Sequence, residues 1–293
     1  MCLYPRQIKV HRGLGDNLLI PAPCGICPEC LSKQRTEWFI RNKIEVQNST
    51  NAFFITLTYN TEHLPLSDFN GKPCFSKDDV QKFFKRFRQS LNSTGLKYFL
   101  ASEYGGQFGR PHYHALIYNI PHEKVSSLPD LLAKTWGKGF VSVAPVNDRR
   151  ISYVCKYMLQ KCQRRKDFSD VSFAPFYLSS RRPAIGASYL SDTNRTFHLS
   201  QRSTSICING QTYGLPTYYK RKIFEDYPDI KDEIRISYLN KLHEKNSKIL
   251  SDSALYKRSV EEHYQHIKTA CRRFRKYSKQ KFELVDLPYH LSH

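Results

Sequence analysis

The stretch Glu103-Tyr104-Gly105-Gly106-Gln107-Phe108-Gly109-Arg110-Pro111-His112-Tyr113-His114 decides the fold. Upstream, Lys97 to Tyr104 reads as a strand. Downstream, His112 to Asn119 reads as another, and the short glycine-bearing loop between them predicts a hairpin. On a strand, residues i and i+2 point to the same side, so the His112 and His114 imidazoles converge. Glu103, at the end of the preceding strand, can bring its carboxylate to that side. Two imidazoles and one carboxylate leave coordination positions open for water and a substrate oxygen. Such a set suits Mn²⁺, accepts Mg²⁺ and could also hold Zn²⁺. Taken alone, the same residues could equally be ordinary strand histidines.

On the N-terminal side, Phe53-Phe54-Ile55-Thr56-Leu57-Thr58-Tyr59 is rich in β-branched and aromatic residues and reads as a strand stopped at Asn60. Ser76 with Asp79 three residues on resembles a capping box. Val80, Phe83, Phe84 and Phe87 then fall on one helix face, and Lys82, Lys85 and Arg86 lie on the other side. After the histidines come a helix near 122–135, a strand over 139–143 and a helix from about 148 to 163. That last helix carries Tyr153-Val154-Cys155-Lys156-Tyr157. Residues four apart on a helix share a face, so both hydroxyls are neighbours and Lys156 reaches the same region. An isolated pair of this kind would by default be a helix burying its rings, with Ile151, Val154 and Met158 as further core positions.

Three zones emerge. Residues 1–50 begin irregularly, around Gly13, Gly15, Pro21 and Pro23, and then carry a cysteine cluster and a polar helix over 28–47 with Leu31, Trp38, Phe39 and Ile44 as its apolar positions. Residues 51–166 form a compact α+β unit. Residues 167–293 form a basic, largely helical C-terminal region, with a turn at Arg181-Arg182-Pro183 and a cationic run from Arg272, Arg273, Arg275 and Lys276 to Lys281.

Lysine and arginine total 46 against 26 aspartates and glutamates, a net charge of +20. That surplus favours a polyanionic partner. With 19 tyrosines and 18 phenylalanines, the mixture of rings and cations suits single-stranded nucleic acid, because bases stack while cations follow the phosphates. The cations placed for this work are Lys82, Lys85, Arg86, Arg110, Arg149, Arg150, Arg164, Arg165 and those of the 272–281 run. No apolar run approaches the length of a membrane span, and the N-terminus opens no signal-peptide stretch. The nine cysteines therefore read as reduced thiols or metal ligands. Cys24, Cys27 and Cys30 have the spacing of zinc ligands, with Cys2 or His11 as the fourth.

The order of the pieces is a strand at 53–59, a histidine pair on a strand, then tyrosines on a helix. Here the sequence resembles the replication initiators of the HUH endonuclease superfamily, named for two histidines flanking one residue that is usually bulky and apolar. Within it, the resemblance is to the initiators of microviruses, small single-stranded DNA phages, and especially their gokushovirus branch. The matching pieces are Met1-Cys2-Leu3-Tyr4-Pro5, Cys24-Gly25-Ile26-Cys27-Pro28-Glu29-Cys30 with Trp38 and Arg41, Phe54-Ile55-Thr56-Leu57-Thr58, Glu103-Tyr104-Gly105, Gly109-Arg110-Pro111-His112-Tyr113-His114 and Tyr153-Val154-Cys155-Lys156-Tyr157. They cover about residues 1–165. Ser180-Arg181-Arg182-Pro183-Ala184-Ile185-Gly186 adds a weaker match. Tyr113 departs from the usual aliphatic residue but keeps a large apolar body.

The resemblance implies a central antiparallel sheet of about five strands with flanking helices, histidines on a central strand and tyrosines on a facing helix. It implies an endonuclease that nicks single-stranded DNA at a replication origin by tyrosine attack. The products are a 5′-phosphotyrosine and a free 3′-hydroxyl that primes rolling-circle synthesis before rejoining. Glu103, His112 and His114 would bind the divalent metal. Tyr153 and Tyr157 would alternate as nucleophiles with Lys156 orienting them or stabilising charge; alternatively, Tyr153 and Lys156 form a single-tyrosine site and Tyr157 is structural. A host helicase and DNA polymerase would be partners, in the cytoplasm of an infected bacterium. Two other classes compete: a non-enzymatic single-stranded nucleic-acid-binding protein, and a zinc hydrolase using His-x-His, which leaves the charge and the tyrosine pair unexplained.

Overall fold

Alternation along the strand at Ala52–Thr58 settles what each side of the sheet becomes. Ile55 and Leu57 are fully buried on one side, while Phe54, Thr56 and Thr58 point to the other. The computed structural model describes residues 6–12, 16–25, 27–105, 109–157 and 174–251, with 258, 261, 262 and 265 beyond them. The chain divides after Tyr238 into two units, and the sheet lies in the first.

In chain order, the elements up to the tyrosines are β1 (Arg6–Arg12), β2 (Asp16–Ala22), α1 (Pro28–Gln47), β3 (Ala52–Thr58), α2 (Lys77–Leu91), β4 (Lys97–Tyr104), β5 (Pro111–Tyr118), α3 (Leu128–Trp136), β6 (Val141–Pro145) and α4 (Asp148–Lys156). Then follow β7 (Tyr177–Ser179), α5 (Asp192–Ser200), β8 (Ser205–Ile208), β9 (Gln211–Gly214), α6 (Thr217–Phe224) and α7 (Pro228–Ser251). The main sheet is five-stranded and antiparallel, in the order β6-β3-β5-β4-β7. The fold class read from the sequence therefore stands, with β5 and its histidines central.

The far face of this sheet is dry. Ile55, Leu57, Leu100, Tyr113, Ala115 and Ile117 pack against Val80, Phe83, Phe84 and Phe87 of α2 and Leu128, Leu132 and Trp136 of α3. Each such ring or aliphatic side chain, once buried, stabilises the fold by about 1.5–3 kcal/mol. The polar atoms reaching into this face are satisfied: Trp136 Nε1 donates to Thr58 O at 2.8 Å, and Tyr59 Oη donates to Asp79 Oδ2 at 2.9 Å. Asp79 in turn pairs with Lys138 at 3.2 Å. Ser76 caps α2 as expected, accepting from Asp79 N at 3.1 Å. The reciprocal half of the capping box is replaced, because Ser76 N donates to Tyr113 Oη at 2.9 Å while Asp79 serves Tyr59 and Lys138.

The near face meets α1 and α4. Phe99, Ala101, Leu116 and Tyr118 pack with Ile151, Val154, Cys155 and Tyr157, and with Trp38 and Phe39. Two buried polar groups tie this layer down. Asn42 accepts from Tyr118 Oη at 2.8 Å. Glu45 accepts from Lys97 Nζ at 2.8 Å and from Gly186 N at 2.7 Å. The Ser180–Gly186 segment is thus docked on α1, also by a 3.0 Å bond from Arg41 Nε to Ile185 O.

Several sequence expectations are corrected. The first segment is not irregular: β1 and β2 pair in register as a hairpin from Arg6↔Ala22 to Arg12↔Asp16. The sheet's fifth strand, β7, comes from beyond residue 166, pairing Phe99↔Ser179 and Ala101↔Tyr177. The strand placed at 139–143 runs Val141–Pro145, and the helix near 122–135 is a short turn at His122–Lys124 followed by α3. The helix expected to reach 163 is described as far as Lys156; Arg164, Arg165 and the 272–281 run lie outside the described residues.

Candidate active site

The β4–β5 register opposes Glu103 to His112 and Ala101 to His114, as hairpin pairing requires. The connecting loop closes with Gly105 N on Arg110 O at 2.8 Å. A Cβ at Gly105 would lie 2.6 Å from His112 Cε1, so only glycine lets this imidazole sit against the turn. His112 Nδ1 lies 2.8 Å from Arg110 O. A carbonyl can only accept, so Nδ1 carries the proton and the Nε2 lone pair is the one left for a ligand.

His114 is held from two sides. Its Nδ1 lies 3.0 Å from Thr56 Oγ1, the residue opposite it on β3, and its Nε2 lies 3.0 Å from Glu103 Oε2. The same carboxylate oxygen accepts from Tyr153 Oη at 3.2 Å. Burial pushes the Glu103 carboxyl upward, but hydrogen bonds from His114, Tyr157 and Tyr153 outweigh it and leave the group below the usual carboxylate range. An ionised carboxylate, an imidazole and a phenol hydroxyl therefore meet at one point.

The two tyrosines share this place but not its exposure. Tyr153 is 39% exposed and Tyr157 only 4%. Their rings are 5.2 Å apart and nearly perpendicular, and each stands near the His114 ring, at 5.1 and 5.8 Å. Burial, followed by the hydrogen bond to the Glu103 carboxylate, raises Tyr157 far above an ordinary phenol. Tyr153 is raised less, chiefly by burial. Lys156 places its ammonium 5.9 and 5.8 Å from the two ring centroids. A shallow cavity of about 420 Å³ opens beside the group, lined by Phe54, Thr56, His114, Arg149, Arg150 and Tyr153.

The structure thus brings together Glu103, His114, Tyr153, Tyr157, Lys156, Arg149 and Arg150. His112 shares their face, its ring parallel to His114, but the centroids are 6.5 Å apart. Its ring is held toward the Arg110 carbonyl, so the expected three ligating atoms do not gather within one coordination shell. Glu103 and His114 do fit a divalent cation: an ionised oxygen and a ring nitrogen face each other at the spacing an ion could bridge.

Lys82, Lys85 and Arg86 are elsewhere. They ride on α2, which covers the opposite face of the sheet from the tyrosines. Lys82 pairs with Asp78 at 2.7 Å, and Arg86 caps α3 by donating to Thr135 O at 2.7 and 3.0 Å. The period of a helix tells which residues share a side, not which face of a sheet that helix covers. Arg110 lies beside the hairpin turn; its Nε and Nη2 are buried with no hydrogen-bond partner among the described residues. Phe54 and Thr56 are site residues that the sequence reading missed. Their alternation with Ile55 and Leu57, set beside the histidine strand, was the available signal.

The Cys24, Cys27 and Cys30 sulfurs lie within 4.8 Å of one another, the one such gathering of three metal-ligating side chains among the described residues. Cys27 and Cys30 are buried, and Cys27 N donates to Cys24 Sγ at 3.3 Å. Cys2 and the side chain of His11 lie outside the described residues.

Comparison with known proteins places this geometry. Residues 52–162, from β3 through α4, match the family model of the phage replication-associated protein ORF2. Over 245 residues the chain is 25% identical to the replication-associated protein ORF2 of Spiroplasma virus 4, covering 77% of this chain and 74% of that protein. It is 26% identical to the replication-associated protein ORF4 of Chlamydia phage 1, covering 81% of this chain and 62% of that protein. A third relative, the replication-associated protein VP4 of Bdellovibrio phage phiMH2K, is 26% identical over 71% of this chain and 69% of its own length. No solved structure matches at a significant level. The resemblance read from the sequence holds: the chain is a relative of the microvirus-like replication-associated proteins of phages, and the segment matching their family model contains the strands and the helix that bear the histidines and tyrosines.

Proposed function

We propose that this chain initiates phage DNA replication by nicking a single strand at the origin, and that Tyr153 is the first nucleophile. The observation that carries the reading is the contact of the Tyr153 hydroxyl with Glu103 Oε2, itself on His114 Nε2. The hydroxyl is the accessible one of the pair, and its proton already points at an ionised acceptor. Attack of Tyr153 Oη on phosphorus forms the 5′-phosphotyrosine, passes the phenol proton toward Glu103, and releases the 3′-oxygen, which takes up a proton to become the primer hydroxyl. Rejoining is the reverse attack by a 3′-hydroxyl, which frees the tyrosine. Lys156, poised over both rings, stabilises the negative charge that develops during transfer. Tyr157, buried on the same carboxylate, serves the second transfer in the alternating scheme.

A divalent cation, Mn²⁺ or Mg²⁺, held by Glu103 and His114 with His112 as the third donor, would polarise a non-bridging phosphate oxygen. The Cys24, Cys27 and Cys30 cluster holds a separate structural zinc in this reading, with Cys2 or His11 as its fourth ligand. Arg149 and Arg150 contact the DNA beside the tyrosines; the C-terminal cations 272–281 form an outer arm. Host helicase and polymerase act on the duplex and the 3′-end, in the infected cell's cytoplasm. No helix among the described residues is long and apolar enough to cross a membrane.

The test is a denaturant-resistant protein–DNA adduct, formed with origin-bearing single-stranded DNA and Mn²⁺. It should appear with the wild type and vanish in Tyr153→Phe. DNA binding without an adduct would instead favour a binding module. If Tyr157→Phe still completes full circles, the alternating scheme fails and the single-tyrosine form stands. Metal analysis should read one zinc per wild-type chain, lost in Cys27→Ser; zinc-free wild type ends the structural-zinc reading.

A further inference from the structure

We propose that the cavity beside Tyr153 is a nucleotide subsite: the base neighbouring the cleaved phosphate stacks on Phe54, and its backbone phosphate lies against Arg149 and Arg150. The proposal rests on the nicking reading and adds where the strand lies.

Strand alternation supplies the floor. Phe54, Thr56 and Thr58 share the near face with His112 and His114, and Ser142 and Ala144 of β6 continue that face on the other side of β3. Helix α4 packs over β4, β5 and α1. Its first turn, with Arg149 and Arg150, reaches the cavity above Phe54. Beyond that turn, Ser142 is exposed, so the β3–β6 part of the face is open.

Phe54 is not a core residue that happens to lie nearby. Its neighbours on β3, Ile55 and Leu57, are fully buried, whereas Phe54 is half-buried and lines open space. Its ring runs parallel to the His114 imidazole at 5.6 Å and 14°, and stands edge-on to Tyr153 at 6.2 Å and 74°. A planar group added against this ring would continue a stack that already contains the nucleophile's neighbour.

The rim is cationic. Arg150 is fixed by a 2.9 Å bond from Nη1 to Pro145 O, and Arg149 is exposed. Both sit in the first turn of α4, whose Asn147 cap leaves the positive end of the helix on the same side. An aromatic floor under a cationic rim is the chemistry of a single-stranded nucleic-acid site, where rings take bases and guanidinium groups take phosphates. About 420 Å³ accommodates one nucleotide and no duplex.

The experiment uses the full chain in EDTA, so that no cleavage intervenes, and a fluorescein-labelled oligothymidylate read by anisotropy. Phe54→Leu should weaken binding about 5- to 100-fold, the range for removing one base–ring stack. Phe54→Trp should bind within about threefold of wild type, because it restores a ring. Replacing Arg149 and Arg150 together with glutamine should flatten the slope of log affinity against log salt by about 1.4, two phosphates' worth. Ultraviolet irradiation with a 5-iododeoxyuridine oligonucleotide should place the crosslink on the peptide containing Phe54.

Phe54→Leu binding like wild type, Phe54→Trp as weak as Phe54→Leu in folded protein, or a crosslink mapping elsewhere would each overturn the subsite. Circular dichroism screens both variants for folding, and the wild-type crosslink decides the matter if Phe54→Leu does not fold. The nicking reading fails separately: wild type that binds through Phe54 yet forms no adduct with Mn²⁺ keeps the subsite and loses the reaction. An adduct from wild type together with an indifferent Phe54→Leu loses the subsite alone.

Discussion

The two faces of the central sheet are built from the same strands and behave as different solvents. On the far face, Ile55, Leu57, Tyr113 and Ile117 meet the rings of α2 and α3, and the polar atoms that enter are paired: Tyr113 with Tyr59 and Ser76, Asp79 with Lys138, Trp136 with Thr58. On the near face the apolar half, Phe99, Leu116 and Tyr118, lies under α1 and α4, while Thr56, His114 and Glu103 gather at the other end beneath Tyr153. The difference teaches that stability and chemistry are carried by opposite sides of one strand. Tyr113 and His114 are consecutive, yet one belongs to the core and the other to the site.

If that division holds, substitutions on the two faces should fail in different ways. The largest effect belongs to Tyr153→Phe, which should lower adduct formation by about ten-thousandfold or more while the thermal midpoint scarcely moves, since only a hydroxyl is removed. A large midpoint drop would merge the two faces. Phe83→Ala, on the far face, should cost about 3–5 kcal/mol in denaturant unfolding and leave the turnover of the folded fraction intact. Tyr113→Phe removes the hydroxyl that meets Ser76 and Tyr59, and should cost about 1–3 kcal/mol without disturbing the adduct. Loss of the adduct there would show that the clamp, not only the core, serves the site. Thr56→Val on the near face should lower nicking about tenfold by releasing His114 Nδ1, with stability nearly unchanged.

The smallest expected effect concerns the layer between α1 and α4. Burial pushes the Cys155 thiol up to about 12, against weaker pulls from Arg35 and Asn42. The folded chain therefore keeps a proton that the unfolded chain gives up from about pH 9. Its contribution to stability is complete below that pH and declines as pH climbs toward 12. Relative to Cys155→Ala, the wild type should lose about 1 kcal/mol more between pH 8 and pH 10. Equal slopes would mean that the thiol is not sealed.

What the sequence disclosed follows from how local each signal is. The β4–β5 hairpin, the β3 strand, α1 and α2 were legible because alternation or helical spacing repeats several times within each, and Ser76 marks a cap. The pairing of Glu103 with the histidines followed from the hairpin alone. Strand β7 was not legible, since Tyr177–Ser179 is too short to establish a period. The β1–β2 hairpin was hidden by glycines and prolines that read as irregular chain. The misplacement of Lys82, Lys85 and Arg86 has a different origin: helix period is local, but the face of the sheet on which α2 lands is set by the path from β3 to β4. The unequal exposure of Tyr153 and Tyr157 likewise depends on what packs over the end of α4, which spacing cannot report.

The register of β5 acts as an error check. Its side chains alternate between a phenol-and-indole interior and a catalytic surface, so a slip of a single residue would exchange them all. Such a slip would press the two imidazoles against Phe75 and Trp136 and turn the Tyr113 ring out beside Tyr153. A misaligned strand therefore cannot yield a stable protein with a damaged site: the same step that dismantles the chemistry also dismantles the core, and only correctly registered molecules persist to touch DNA.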